Sequence, residues 1–260
     1  MLACPTSRKD ESPKSLVNRY YCENYYTSLR SAFGYAESDY VTSRLLFGDH
    51  RSIQNLCEEI QAQFKLNLTS SFYIQKEGFT HESPIIWNSC EIPFSFFEPK
   101  STRVCPVCAE DHFIHKATDF SFINACPVHQ LRLYDRCMNC NRSFSWNYGR
   151  ITHCRFCSSA VSTYPQIHSV VASEQTLLSW IEQGRSDDVT KALFILNALR
   201  RNFPREIFLN GKLLAMSINI VRENVDDLLS GLASVFPAGD VPNRLLLSPI
   251  FTALQEHETF

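Results

Sequence analysis

The sequence lacks any long apolar run, because none of its hydrophobic stretches approaches the about eighteen residues that cross a bilayer as a helix. The first residues, MLACPTSRKDESPKS, contain no apolar stretch of the kind found in secretory signals, so we expect a cytoplasmic protein without membrane contact. Glycine is scarce, at 8 among 260 residues, and no glycine-rich phosphate loop, nucleophile–base pattern or carboxylate cluster is evident. These absences predict a protein that is not an enzyme.

An excess of charge of one sign is also lacking. The net charge is −2, with 25 Lys and Arg against 27 Asp and Glu. The distribution is uneven, since residues 100–165 carry 8 basic and 4 acidic side chains and both flanking segments are mildly acidic. Affinity for nucleic acid increases with the number of Lys and Arg contacts to phosphate, so we do not expect an autonomous, high-affinity nucleic-acid binder. The pattern is compatible with a subunit that touches nucleic acid within a larger assembly.

Cysteine, in contrast, is abundant. The chain has 11 cysteines, and seven of them fall within residues 105–157 as closely spaced pairs. In the absence of an export signal, such clustering favours bound metal in a reducing compartment over disulfides. The apolar fraction of 44% and the charged fraction of 20% are ordinary for a folded chain, whose length predicts two or three domains.

Four pairs of potential metal ligands share the same two-residue gap. They are Cys105/Cys108, Cys126/His129, Cys137/Cys140 and Cys154/Cys157. Two ligands with this gap can occupy adjacent corners of one tetrahedron, so eight ligands predict two zinc ions per chain. Combining successive pairs gives a Cys3His site followed by a Cys4 site. Four protein ligands leave no corner for a reactive water, so both ions are expected to be structural.

Other uses of these cysteines are less favoured. The ligand order also matches a RING-type ubiquitin ligase, in which alternate pairs share each zinc. RING domains usually place two or three residues between the histidine and the next cysteine, whereas seven lie between His129 and Cys137. A thioredoxin-like CxxC would be single and would lie in a βαβ unit. His112, His115 and His153 do not fit the pair spacing and are expected outside the metal sites.

The flanks of the cysteine-rich region have helical periodicity. In the first segment, Ser12 is a good N-cap before Pro13, and apolar residues then recur with a spacing of four up to Gly34, which predicts a helix over 13–33. A second helix is predicted after Ser52, with a short apolar cluster between the two. Three short helices with tight links suggest a helix-turn-helix-like domain. Residues 84–99 contain three prolines and predict an extended segment.

The last segment is also predicted to be helical. Ser173 is the expected cap of a helix that Gly184 ends, and Ser186 begins another that stops before Pro204. Further helices are predicted at about 206–222, 225–235 and 244–256. The expected fold is therefore mainly α with a small zinc-stabilised β/loop module. Its predicted parts are an N-terminal helix-turn-helix-like domain, 1–100, a module of two tandem zinc fingers or ribbons, 101–163, and a C-terminal helical domain, 164–260.

Several motifs resemble the TniQ/TnsD family of transposon target-selection proteins. The sequences RVCPVC, INACPVHQLRLYDRCMNC, SFSW with Trp146, and CRFC follow one another in the family's order. Near the start, DESPKSLVNRYYCENYYTS resembles the family's N-terminal helix, and LLSWIEQG at 177–184 resembles the segment after its second zinc site. The resemblance covers about residues 10–185. Departures are DESP in place of the commoner DESL, and phenylalanine where the family often has tryptophan between the first two cysteine pairs.

The resemblance implies a non-enzymatic adaptor of the bacterial cytoplasm. Family members mark a target, either by reading a DNA site or by joining a CRISPR RNA-guided (Cascade-type) effector complex with its guide RNA. They then recruit the AAA+ ATPase TnsC, and a homodimer is expected. A sequence-specific DNA-binding regulator is the main alternative. The candidate contacts to DNA or RNA phosphates, which are equally compatible with a solvated basic face, are Lys116, Arg132, Arg136, Arg142, Arg150 and Arg155.

Overall fold

The architecture is that of a mixed, mainly helical chain with a small amount of strand. A computed structural model describes residues 5–27, 31, 47–48, 73–75, 84–98, 101–146, 150–169, 171–202 and 212–222. The chain forms two compact units, Met1–Ile85 with Phe94–Val170, and Ile86–Pro93 with Val171–Phe260. Among the described residues, the helices are too short or too polar to traverse a lipid bilayer. The predicted fold class is confirmed at the level of a mainly helical chain with a small amount of strand. The predicted division into three domains stays a prediction.

Helix α1 spans Pro13–Glu23 and begins where the sequence predicts. Ser12 has an extended backbone, and its hydroxyl accepts a hydrogen bond from the amide of Lys14. The predicted end near residue 33 is wrong. Asn24 donates from its side-chain amide to the carbonyl of Tyr20, and Tyr25 adopts a left-handed φ of +63° with its side chain exposed. Local hydrogen bonding therefore ends the helix although the apolar spacing continues. The second predicted helix lies outside the described residues.

The segment predicted to be extended contains a hairpin instead. Strands β3, Ile85–Trp87, and β4, Cys90–Ile92, are hydrogen-bonded neighbours. The two residues between them, Asn88 and Ser89, have φ values of +47° and +66°, as in the tight turns whose twist matches paired strands. A 3₁₀ turn at Phe94–Phe96 follows. Two further short strands, β1 at Phe47–Gly48 and β2 at Tyr73–Gln75, pair in parallel in the first unit.

The cysteine-rich part of the first unit has few regular elements. These are helix α2, Pro106–Glu110, and the 3₁₀ turns Lys116–Asp119 and Val161–Thr163. Isolated bridges hold the rest, including Val104 with Tyr134. A buried cluster fills the space beside the second set of cysteines, and its large members are Val104, Ile114, Tyr134, Phe144, Ile151, Val161 and Tyr164. Such a small core is typical of modules that rely on metal for stability.

The second unit contains three described helices that pack on one another. They are α3, Ala172–Glu182, α4, Ser186–Asn202, and α5, Lys212–Val221, and strand β4 also contacts α4. Gly184, with φ +67°, follows α3, and Ser186 starts α4, both as predicted. The predicted cap of α3 is wrong, because Val171 occupies the cap position and Ser173 lies in the first turn. Helix α5 covers part of the predicted 206–222, and the two later predicted helices lie outside the described residues.

Candidate metal centres

The structure gathers the eight predicted ligands into two groups. The first group is Cys105, Cys108, Cys126 and His129, and the second group is Cys137, Cys140, Cys154 and Cys157. Within each group the potential ligand atoms all lie within 4.8 Å of one another. Each group therefore combines two successive pairs, whereas a cross-braced RING arrangement would mix alternate pairs. Either group could hold one metal ion.

Distances in the first group match the edges of a zinc-sized tetrahedron. The Sγ atoms of Cys108 and Cys126 are 3.6 Å apart, and Nδ1 of His129 lies 3.2 Å from Sγ of Cys108. The same nitrogen lies 3.7 Å from Sγ of Cys105 and 3.7 Å from Sγ of Cys126. Zinc–sulfur bonds of about 2.3 Å give sulfur–sulfur edges of about 3.8 Å. The residues present fit a zinc ion, and Nδ1 is the atom that His129 would offer.

The second group has similar dimensions. Sγ of Cys137 lies 3.5 Å from Sγ of Cys157, and Sγ of Cys140 lies 3.5 Å from Sγ of Cys154. These separations are far longer than a disulfide bond of about 2.05 Å, and all four thiols are free. Cys137 and Cys154 are buried while Cys140 and Cys157 are half-buried, so the group lies close to the surface.

A repeated backbone turn presents the ligands of both groups. The amide that follows a pair's first cysteine by four residues donates to that cysteine's carbonyl, at 2.8–2.9 Å in all four pairs. In the first pair the donor is Ala109 of α2, and in the others the donors are Gln130, Asn141 and Ser158, which have left-handed φ values between +53° and +56°. The backbone of each turn is thus fixed by its own hydrogen bonds. Sequence reasoning missed these residues because none is glycine, the usual residue for this conformation.

Tyr164 is a second residue that the sequence did not reveal. Its hydroxyl donates a hydrogen bond of 3.1 Å to Sγ of Cys137, and the tyrosine is buried. Burial alone would raise the pKa of Cys137, but hydrogen bonds from Tyr164 and from the amides of Cys140 and Asn139 together outweigh burial and lower the pKa to about 6. Tyr164 therefore favours the thiolate form, which is the form that binds metal.

Crowding of the thiols in the first group also favours a cation. Hydrogen bonds from Cys108 and Cys126 lower the pKa of Cys105 to about 2. The same contacts raise the pKa of Cys108, and the contact with Cys105 raises the pKa of Cys126 to about 11. Three sulfurs this close cannot all ionise without a compensating positive charge, which a divalent cation supplies when it displaces the remaining protons.

The start of helix α1 is anchored by a buried ion pair to the segment between the two ligand pairs of the first group. Nζ of Lys14 lies 2.9 Å from the Asp119 carboxylate, and both side chains are at most 1% exposed. Nζ also donates to the carbonyls of Glu98 and Ser101, and the hydroxyl of Ser12 donates to Asp119 at 2.5 Å. Burial lowers the pKa of Lys14, and the neighbouring Asp119 carboxylate opposes this effect. The first residues of α1 are therefore fixed on the segment that joins the two ligand pairs of the first group.

A second buried network holds the other side of the helix start. Arg19 contacts the Glu11 carboxylate with two nitrogens, at 2.9 and 2.8 Å. The hydroxyl of Ser15 lies 2.7 Å from this carboxylate and 2.9 Å from the carbonyl of His112, and it accepts from the amide of Ile114. Glu11 and Ser12 of the DES motif are thus buried, whereas Asp10 is exposed. We conclude that α1 packs on the segment that joins the two ligand pairs of the first group.

The six predicted phosphate contacts differ in exposure and in their neighbours, and their role stays a prediction. Lys116 is half-buried, with its pKa lowered by burial to about 8, so it is poorly placed for phosphate. Arg136 is exposed and lies 3.7 Å from Asp135, and Arg132 lies over the ring of Tyr134. Arg142, Arg150 and Arg155 are exposed on the second group. Outside both groups, Nδ1 of His115 accepts from the amide of Ala117, and Nδ1 of His153 lies 2.9 Å from the hydroxyl of Thr152.

Comparisons with known proteins agree with the motif resemblance. A search of curated proteins gives no match. The family model described as TniQ matches residues 3–133, half of the chain, and this range contains α1, the buried ion pairs and the whole first group. The family is one of target-selection adaptors that are generally not enzymes. The chain therefore belongs to the TniQ family and is a transposition-associated protein.

Proposed function

We propose that this protein is a non-enzymatic target-selection adaptor, which links a targeting element to the AAA+ ATPase TnsC. The observation that carries the proposal is that the family match contains both the anchored start of α1 and the first metal group. Ser12 and Lys14 bind Asp119, which lies on the segment that joins the two ligand pairs of this group, and the Glu11–Arg19 ion pair is buried within the N-terminal segment. A rigid scaffold of this kind suits a protein that presents surfaces to partners.

In this proposal each metal group holds one structural zinc ion. Cys105, Cys108, Cys126 and His129 bind the first, and Cys137, Cys140, Cys154 and Cys157 bind the second. Thiolate-rich sets favour zinc over hard cations such as magnesium, and the sulfur separations suit its tetrahedral geometry. When bound, zinc contributes folding free energy to a module with a small core. The module, 101–163, would join a helix-turn-helix-like domain, 1–100, to a C-terminal helical domain, 164–260.

The targeting element is proposed to be a CRISPR RNA-guided effector of the Cascade type, with a DNA site as the second possibility. The net charge of −2 and the mildly basic central segment support dependence on another complex for most of the nucleic-acid affinity. We further propose a homodimer in the bacterial cytoplasm. Light scattering coupled to size exclusion tests the dimer.

A pull-down from cells that express the neighbouring genes tests the adaptor role. With the tagged full chain as bait, we expect to recover both the AAA+ ATPase and CRISPR effector subunits. Recovery of the ATPase without effector subunits would favour targeting through a DNA site. Recovery of neither, together with tight sequence-dependent DNA binding at physiological salt, would support a DNA-binding regulator instead. Lys191→Ala is a suitable control bait, since it removes an exposed side chain from helix α4.

A further inference from the structure

Side chains around the second metal group line a surface cleft. The lining combines apolar and aromatic side chains with hydroxyl groups and cationic side chains, and its members include Thr102, Ser143, Ser145, Arg150, Arg155 and Phe156. His153 also lines it. None of the lining side chains is a carboxylate. Hydroxyl groups and arginines together are the side chains that contact phosphate oxygens in nucleic-acid complexes.

An exposed aromatic ring lies close to two guanidinium groups at this cleft. Phe156 is 50% exposed, an unusual state for phenylalanine in a small module. The guanidinium carbon of Arg155 lies 4.4 Å from the centre of the ring, and that of Arg142 lies 5.3 Å from it. Aromatic rings and guanidinium planes are both surfaces on which an unpaired base can stack. The ring and its two arginines therefore form a platform that is partly open to solvent.

The local charge suits an anionic ligand. Between Arg136 and Ser173 the sequence contains four arginines and no aspartate, glutamate or lysine. The nearest acidic residue before this stretch, Asp135, lies beside Arg136 rather than in the cleft lining. The stretch is thus uniformly cationic within a chain whose net charge is −2.

We propose that this cleft binds single-stranded nucleic acid, with an unpaired base stacked on Phe156 and phosphates held by Arg142, Arg150 and Arg155. An unpaired strand is favoured over a duplex because the faces of paired bases are covered by their neighbours in the stack. The proposal adds a nucleic-acid site to the proposed adaptor function. It rests on that function for the biological source of the strand. That source is either guide RNA or exposed target DNA.

Fluorescence anisotropy with the full chain tests the cleft. The probes are labelled single-stranded RNA and DNA of mixed unstructured sequence, each compared with its duplex. We expect tighter binding of at least one single strand than of either duplex, and the stronger of the two single strands identifies the source. Phe156→Leu should weaken binding by about 5- to 150-fold, the range for one stacked base, and Phe156→Trp should restore it. Arg142→Gln and Arg155→Gln should each reduce the salt slope by about 0.7.

Two control variants test whether a loss of single-strand affinity is specific to the cleft. Met138 is an exposed apolar residue of another ligand pair, and Lys191 is an exposed cation on helix α4. Met138→Leu and Lys191→Gln should therefore leave single-strand affinity within about twofold. Metal content and circular dichroism should be unchanged in every variant. Equal affinity for duplex, no effect of Phe156→Leu, or an equal loss in the controls would overturn the proposal.

The two experiments test the adaptor function and the nucleic-acid cleft separately. If the single strands do not bind while the pull-down still recovers the AAA+ ATPase and effector, the cleft is rejected and the adaptor role stands. Conversely, Phe156-dependent binding of a single strand without recovery of either partner supports the cleft and rejects the adaptor. Phe156-dependent binding of an acidic protein, with no affinity for single strands, would also reject the cleft as a nucleic-acid site.

Discussion

Tyr164 and Cys137 are joined by a hydrogen bond of 3.1 Å from the phenol hydroxyl to the sulfur. The two residues are 27 positions apart, and the bond places a buried neutral donor against one ligand of the second metal group. A donor in this position stabilises negative charge on the sulfur and fixes the orientation of the ligand. The second group therefore depends on a residue that binds no metal itself.

Removal of this hydroxyl should weaken metal binding. We expect Tyr164→Phe to lower the zinc affinity of the second group by about 10- to 100-fold, as measured by competition with a chromophoric chelator. Tyr134→Phe is the matched control, because the hydroxyl of Tyr134 donates to the carbonyl of Pro165 rather than to a sulfur. Equal weakening in the two variants would contradict a specific role for Tyr164.

The buried ion pair of Lys14 and Asp119 should dominate the stability of the helix anchor. Lys14→Met leaves a buried carboxylate without its cation, and we expect a loss of about 3–5 kcal/mol in the free energy of unfolding, measured by urea titration. The double change Lys14→Met with Asp119→Leu should cost less, since no lone charge remains. As a control, Arg136→Met removes the exposed ion pair of Arg136 with Asp135, and it should change the free energy of unfolding by less than about 1 kcal/mol. A loss under 1 kcal/mol for Lys14→Met would refute the anchoring role.

The two metal groups share no ligand, so they should lose metal independently. Native mass spectrometry should find two zinc ions per chain, and a strong chelator should lower the thermal stability of the protein. Cys105→Ser and Cys137→Ser should each leave one ion bound. Loss of both ions from either single variant would indicate shared ligands, as in a cross-braced module.

Lys116 should make the stability of the protein depend on pH. Burial lowers its pKa from 10.5 to about 8 in the folded state, so between these values the unfolded chain binds more protons. Stability contributed by this residue therefore increases as the pH rises from 8 to 10.5, and the full penalty for burying the charge applies below pH 8. Lys116→Met should be more stable than the parent at pH 7 by about 1–3 kcal/mol, with the difference disappearing near pH 10.5. A constant difference across this range would contradict the prediction.

The eight residues gathered in the two metal groups were predictable because their information is local. A two-residue gap between ligands is visible in the sequence, and a tight turn converts that gap directly into two corners of a tetrahedron. The start of α1 was predictable for the same reason, since Ser12 and Pro13 carry the signal by themselves. The family was also identifiable, because its motifs contain these ligand pairs in order.

Other features depend on contacts that a sequence does not display. Ser12 and Asp119 are 107 residues apart, and nothing in either segment marks the other as its partner. The left-handed residues Gln130 and Ser158 carry no glycine signal, and Tyr164 reads as an ordinary core residue. The end of α1 was misplaced because apolar residues keep their spacing of four past Glu23, while the side chain of Asn24 closes the helix.

The order in which the ribosome makes these segments has a consequence for the newborn protein. Lys14 is translated about a hundred residues before Asp119, so at common rates of synthesis the lysine waits about 5–20 s for its carboxylate. During this interval the first turn of α1 has no site in which to bury its charged and polar side chains. Docking of α1 must therefore follow the synthesis of most of the first ligand group, and a chaperone that occupies the nascent N-terminus would compete with that step.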